Sequence, residues 1–121
     1  MADEGTDLSV HIDRPGPYAL VRLAGDVDIE SSGELTETLK AVLATLGTAP
    51  LVIDLAEVEF MDSSGLGVLV GAHKEAEAQG GSLELVNPHP RVTKILRITK
   101  LHKVLTVRES LADATAANSD V

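Results

Sequence analysis

"PLVIDLAEVEFMDSSGLGVLV", residues Pro50–Val70, is the passage on which the fold turns. Its first six residues, Pro50–Leu55, are an almost unbroken apolar run, the pattern of a strand covered on both faces. From about Ser64 the spacing becomes helical; Leu66, Leu69 and Val70 fit a core-facing stripe, and at least Leu69 is taken as core. That helix continues to Gln79 and stops at Gly80-Gly81. A buried strand that hands over to a helix is half of a strand–helix–strand unit, so a sheet with parallel pairing is expected. At the handover stand Asp62, Ser63 and Ser64. These residue types suit a helix N-cap, because a side-chain oxygen accepts a backbone N–H that has no partner within the helix.

Upstream, "YALVRLAG" (Tyr18–Gly25) alternates, with Leu20, Arg22 and Ala24 facing one way and Val21 and Leu23 the other. "LSVHI" (Leu8–Ile12) precedes it across "DRPGP", whose prolines and glycine make a turn, so the two form a hairpin. "SSGELTETLKAVLATLG" (Ser31–Gly47) places Leu35, Leu39, Val42, Leu43 and Leu46 at helical spacing, with Ser31 or Ser32 as its N-cap and Gly47 as its C-cap. Downstream, "SLELV" predicts a strand and "PRVTKILRITKL" (Pro90–Leu101) a helix with Val92, Ile95 and Leu96 inward. "VLTVRE" predicts a last strand and "SLADATAA" a short terminal helix. The expected class is α/β, a mixed sheet of about four to five strands packed against about four helices. Met1–Thr6 read as a disordered leader, residues 7–112 as one domain, and residues 113–121 as a flexible tail. Strand order does not follow from these signals.

A chain of 121 residues is long enough for one hydrophobic core. That core must be aliphatic, because aromatic residues make up only 2% of the sequence while hydrophobic residues make up 44%. The formal net charge of −9 opposes a nucleic-acid surface, which needs a basic footprint, and suits a protein partner with a complementary basic patch. No apolar stretch approaches the roughly 20 residues that span a bilayer, and "MADEGTDL" is the opposite of a signal peptide, so no membrane insertion and a cytoplasmic location are expected. Without cysteine, thiolate chemistry is excluded.

The serine pair can be read as a cap, a nucleophile or an acceptor of a covalent charge. A nucleophile elbow needs glycine two residues before the serine, where this chain has Met61, and none of His11, His73, His89 and His102 is spaced as its base. "GLGVLVGAHKE" lacks the GK[ST] ending of a phosphate-binding loop, so no nucleotide cofactor is expected. Asp26, Asp28 and Glu30 alternate like a calcium loop, but Ser31 stands where that loop requires glycine, and a strand end accounts for the alternation.

The segments "VRLAGDVDIESSGEL", "LVIDLAEVEFMDSSGLGVLV" and "GGSLELVNPHPRVTKILRITKLHKVLTV" together resemble the anti-sigma factor antagonists, single-domain members of the STAS superfamily, over about Val10–Val107. "MDSSGLG" is the most specific element. The resemblance implies a STAS-like fold and a binding switch with no enzymatic activity of its own. Its partner is both anti-sigma factor and serine kinase; the unphosphorylated antagonist binds it and frees the sigma factor. Phosphorylation of the first serine, here Ser63, blocks binding, and a serine phosphatase restores it. Asp28 falls on the family's aspartate close to the acceptor, and Asp62 on the one before it. The implied partner face is Asp28, Glu30, Ser31 and Ser32 together with Asp62, Ser64, Gly65, Leu66 and Gly67. The alternative within the superfamily is a cytoplasmic subunit or regulator of a membrane transporter that docks without phosphorylation.

Overall fold

Each strand of the central sheet lies beside its neighbours in sequence. The computed structural model describes residues 8–113. Its elements run β1 (Ser9–Asp13), β2 (Ala19–Val27), α1 (Ile29–Leu46), β3 (Leu51–Met61), α2 (Ser63–Ala78), β4 (Leu83–Val86), α3 (Pro90–Ile98), a 3-10 turn (Leu101–Lys103) and β5 (Thr106–Arg108). The sheet order is β1-β2-β3-β4-β5. β1 and β2 form the expected antiparallel hairpin, and the other three pairings are parallel. Leu111–Asp113 are helical, at the start of the expected terminal helix; the rest of that helix, the expected leader and the tail beyond Asp113 lie outside the described residues.

Parallel neighbours need crossovers, and here every crossover steps one strand in the same direction. Right-handed crossovers of that kind lay their helices on one face of the sheet. The packing agrees. Leu35, Leu39 and Leu43 of α1, Leu66, Leu69 and Ala72 of α2, and Val92 and Leu96 of α3 share one core with Val21, Leu23, Ile53, Leu55 and Leu85. Burying side chains of this size stabilises the fold by about 1.5–3 kcal/mol each before chain entropy is subtracted. The opposite face carries a smaller cluster, Leu20, Val52 and Val86, against which Tyr18 and Leu111 pack. Leu51, Val52 and Ile53 are thus covered on both sides, as the apolar run predicts. A consequence of the winding is that each helix begins at the carboxyl end of the strand before it, and α1 and α2 begin side by side because β2 and β3 end as partners at Val27 and Met61.

Two expectations about boundaries are corrected. β3 extends to Met61 rather than ending at Leu55. Its register against β2 slips twice, so that Arg22, Ala24 and Asp26 face Asp54, Glu57 and Phe60. Each slip inserts one residue into β3, and the buried positions change from every second residue (Leu51, Ile53, Leu55) to every third (Val58, Met61). Gly25, with φ 115°, supplies the unusual backbone opposite the second slip. α3 ends at Ile98, not Leu101. The Thr99 hydroxyl donates to the Ile95 and Leu96 carbonyls at 2.8 and 3.2 Å, and Lys100 turns left-handed at φ 63°. At the far end of α1, Gly47 is the C-cap, and the Gln79 amide donates to the Leu43 and Gly47 carbonyls at 2.7 and 2.8 Å.

Candidate functional site

Val27 and Met61 end β2 and β3 as partners in the parallel ladder, so the residues that follow them, Asp28 and Asp62, occupy equivalent places. Both are helix N-caps. Asp28 Oδ1 accepts the N–H groups of Glu30 and Ser31 at 3.0 and 3.1 Å. Ser31 completes a capping box by accepting the Asp28 N–H at 3.0 Å, and its hydroxyl donates to the Asp26 carbonyl at 3.0 Å. The cap of α1 is therefore Asp28, not Ser31 or Ser32. Ser31 is 1% exposed, and Ser32 Oγ donates to the Ile29 carbonyl at 3.2 Å.

Asp62 caps α2 through Oδ1, which accepts the N–H groups of Ser64 and Gly65 at 2.9 and 3.1 Å. Its second oxygen accepts the N–H of Ile29, the first residue of α1, at 3.2 Å. The Asp62 N–H donates to the Val27 carbonyl at 3.2 Å. Asp62 thus fastens the starts of two helices to each other through its carboxylate and to the sheet through its backbone N–H. Its neighbour Gly65 is required by contact: a Cβ there would lie 2.5 Å from the Val27 carbonyl oxygen and 2.8 Å from Met61 Cγ. Gly67 is under no such constraint, since a Cβ there would meet nothing within 4 Å.

Ser63 is the first residue of α2, is exposed, and its hydroxyl bonds to no described residue. Both oxygens of Asp62 and Oδ1 of Asp28 accept backbone amides, and the Ser63 hydroxyl stands unbonded at the rim. Asp28, Asp62 and Ser64 are half-buried beside it, and Glu30 and Gly67 are exposed. Three expected partner-face residues are buried. Leu66, 6% exposed, packs in the core; Gly65 is buried under the first turn of α2; and Ser31 is buried in the capping box. They shape the face from beneath. Two apolar residues that the sequence reading missed are at the rim instead: Ile29 is 73% exposed and Phe60 is 51% exposed. Ile29 falls outside because the cap puts it at the first helical position, and Phe60 because the second slip turns it away from the core.

The histidines take other places in the fold. His89 caps α3 by accepting the Arg91 N–H at Nδ1, 3.1 Å, and His73 lies along α2 with Nε2 3.7 Å from Glu77. No described histidine bonds to Ser63. Among the described residues no group of three acidic or histidine side chains is placed to hold a metal ion, and no helix is long and apolar enough to cross a membrane.

The profile of the STAS domain family matches residues 9–114, and the chain belongs to that family. Over 87 residues it is 42% identical to the anti-sigma-B factor antagonist of Bacillus subtilis, which covers 72% of this chain and 78% of that protein. An anti-sigma factor antagonist from Mycobacterium paratuberculosis superposes with a TM-score of 0.84 at 25% identity, over 99% of this chain and 100% of that one. The Bacillus antagonist SpoIIAA, solved in unphosphorylated and phosphorylated forms, shares the fold with TM-scores of 0.77 and 0.69 at 21% identity. The unphosphorylated form covers 93% of this chain and 99% of its own, the phosphorylated form 90% and 98%. These are names of regulatory binding proteins, not of enzymes.

Proposed function

We propose that the chain is an anti-sigma factor antagonist controlled at Ser63. The unphosphorylated form binds an anti-sigma factor that is also a serine kinase and thereby releases the sigma factor. Phosphate on Ser63 blocks that binding, and a serine phosphatase removes it. The observation that carries the reading is the exposed, unbonded Ser63 hydroxyl at the first position of α2, directly after Asp62, which bonds the start of α1.

The physics fits a switch at an interface rather than in the fold. A phosphate adds about −1.5 to −2 charges at neutral pH. The amino end of α2 favours it by roughly 0.3–1 kcal/mol, and the neighbouring carboxylates oppose it by a similar amount. These terms nearly cancel within the chain. Against a partner, burying an unpaired dianion costs several kcal/mol, and about 3–4 kcal/mol weakens binding some hundred- to thousand-fold. The exposed Ile29 and Phe60 supply apolar contact beside the serine, and the carboxylates suit a basic partner rim.

The test uses the kinase of this type from the same organism with ATP. Intact-mass analysis should show one phosphate on the wild type and none on Ser63→Ala, which still binds. Ser63→Asp should bind at least about tenfold more weakly while melting like the wild type. Phosphate found on Ser64 alone, or equal binding by all three proteins, overturns the reading.

A further inference from the structure

Six of the ten Lys and Arg residues lie between Arg91 and Arg108, and none of the nineteen Asp and Glu residues falls between Asn87 and Arg108. The rest of the chain therefore sets four cations against nineteen carboxylates. Arg108 is paired, with Nε 3.3 Å from Glu84 Oε1. The other five, Arg91, Lys94, Arg97, Lys100 and Lys103, are all exposed and form no ion pair with a described residue.

Their spacing is three residues throughout. Along α3 that step moves slowly around the helix, and Arg91, Lys94 and Arg97 stay opposite Val92 and Leu96, which are 1% exposed. At Lys100 the chain leaves the α-helix and enters a 3-10 turn, where residues three apart eclipse one another. The charges continue as a ridge from the amino end of α3 toward the opposite rim of the sheet. Two large apolar side chains stand out on the same segment, Ile98 at 68% exposure and Val104 at 48%.

We propose that this ridge is a second docking surface, separate from the Ser63 rim, for a protein that presents a row of carboxylates around an apolar contact for Ile98 and Val104. Charge complementarity selects the occupant. A local acidic patch meets five unpaired cations and stays clear of the carboxylates elsewhere. A long polyanion such as duplex DNA, or an anionic membrane, also meets those carboxylates and is repelled. A membrane is further disfavoured because the apolar stripe of α3 is already used in the core. Since the ridge runs away from Ser63, it holds its partner in either phosphorylation state.

The test is selection from a random peptide library with the full chain as bait, followed by affinity measurement. Selected peptides should combine Asp or Glu with apolar residues. Their binding should weaken with added salt, and should be the same for wild type and Ser63→Asp. The variant Arg91→Glu/Lys94→Glu/Lys103→Glu spares the last turn of α3 and the left-handed Lys100, so it should melt like the wild type. It should lose about tenfold or more in affinity. Ile98→Ser should lose several-fold without any change of charge, and Lys40→Glu, a control cation on α1, should lose less than about twofold. The triple variant should still bind the kinase and accept phosphate on Ser63. Peptides that bind the triple variant equally, an Ile98→Ser variant that binds as well as wild type, or tighter binding to duplex DNA or phosphatidylglycerol vesicles than to any peptide overturns the proposal. Loss of kinase binding by the triple variant overturns it too, by placing the ridge within the Ser63 face. Failure of the phosphorylation assay with wild-type protein overturns only the switch at Ser63.

Discussion

The carboxylate of Asp62 that begins α2 also accepts the first amide of α1, that of Ile29, at 3.2 Å. The two helix starts behind the rim are therefore one mechanical unit, and the position of Ser63 depends on a residue with a structural task of its own.

Asp62→Ala should remove acceptors from three backbone N–H groups at once, those of Ile29, Ser64 and Gly65. A single lost N-cap costs about 1 kcal/mol, so a loss of roughly 1–3 kcal/mol is expected here. Thermal melts check it, at about 4–8 °C per kcal/mol for a domain near this size. A melt within 2 °C of wild type, roughly half the shift of one such increment, would show that the bridge to α1 contributes nothing.

Asp28 separates charge from geometry. Asn caps helices about as well as Asp, so Asp28→Asn should melt close to wild type, whereas Asp28→Ala should lose about 1 kcal/mol. Because Asp28 Oδ1 is occupied by the amides of Glu30 and Ser31, any binding defect of Asp28→Asn reports charge at the partner interface. Titration against the kinase beside a melt separates the two effects.

The glycines of α2 should behave oppositely. Gly65→Ala forces a methyl to within 2.5 Å of the Val27 carbonyl oxygen and should cost roughly 1–3 kcal/mol. Gly67→Ala meets nothing and should be neutral or stabilising by up to about 1 kcal/mol, through helix propensity. Urea denaturation of both variants checks the pair, and equal midpoints would contradict the contact geometry.

Gln79 joins α2 to the end of α1 by donating to the Leu43 and Gly47 carbonyls. Gln79→Ala should lose about 1 kcal/mol in the same denaturation measurement. An unchanged midpoint would mean that water satisfies those carbonyls equally well.

Much of this was legible in the sequence where a single period holds. The stripe Leu35, Leu39, Val42, Leu43 and Leu46 gives α1, and the alternation of Val21 and Leu23 with Leu20 and Arg22 gives the two faces of β2. Legibility fails where the period changes. The inserted residues of β3 hide its second half, and with it the exposure of Phe60. α3 ends without a glycine to mark it, because a threonine hydroxyl and a left-handed lysine do the work. At the site, Ser63 could be singled out by its motif, but a cap cannot be assigned among Asp28, Ser31 and Ser32 by residue type, since all three types cap helices. Nor does sequence tell Gly65 from Gly67, because what distinguishes them is a carbonyl brought up from β2, distant along the chain.

The one-directional winding of the sheet has an electrical consequence. Each helix presents about half a positive elementary charge at its amino end, and α1 and α2 start side by side at the rim that bears Ser63. The backbone there is electropositive while the side chains of Asp28, Glu30 and Asp62 are negative, so the serine lies on a seam between opposing fields. A group carrying negative charge onto its hydroxyl is drawn by the peptide dipoles even as the carboxylates resist. Run in the opposite sense, the same strands and helices would offer that group repulsion from both.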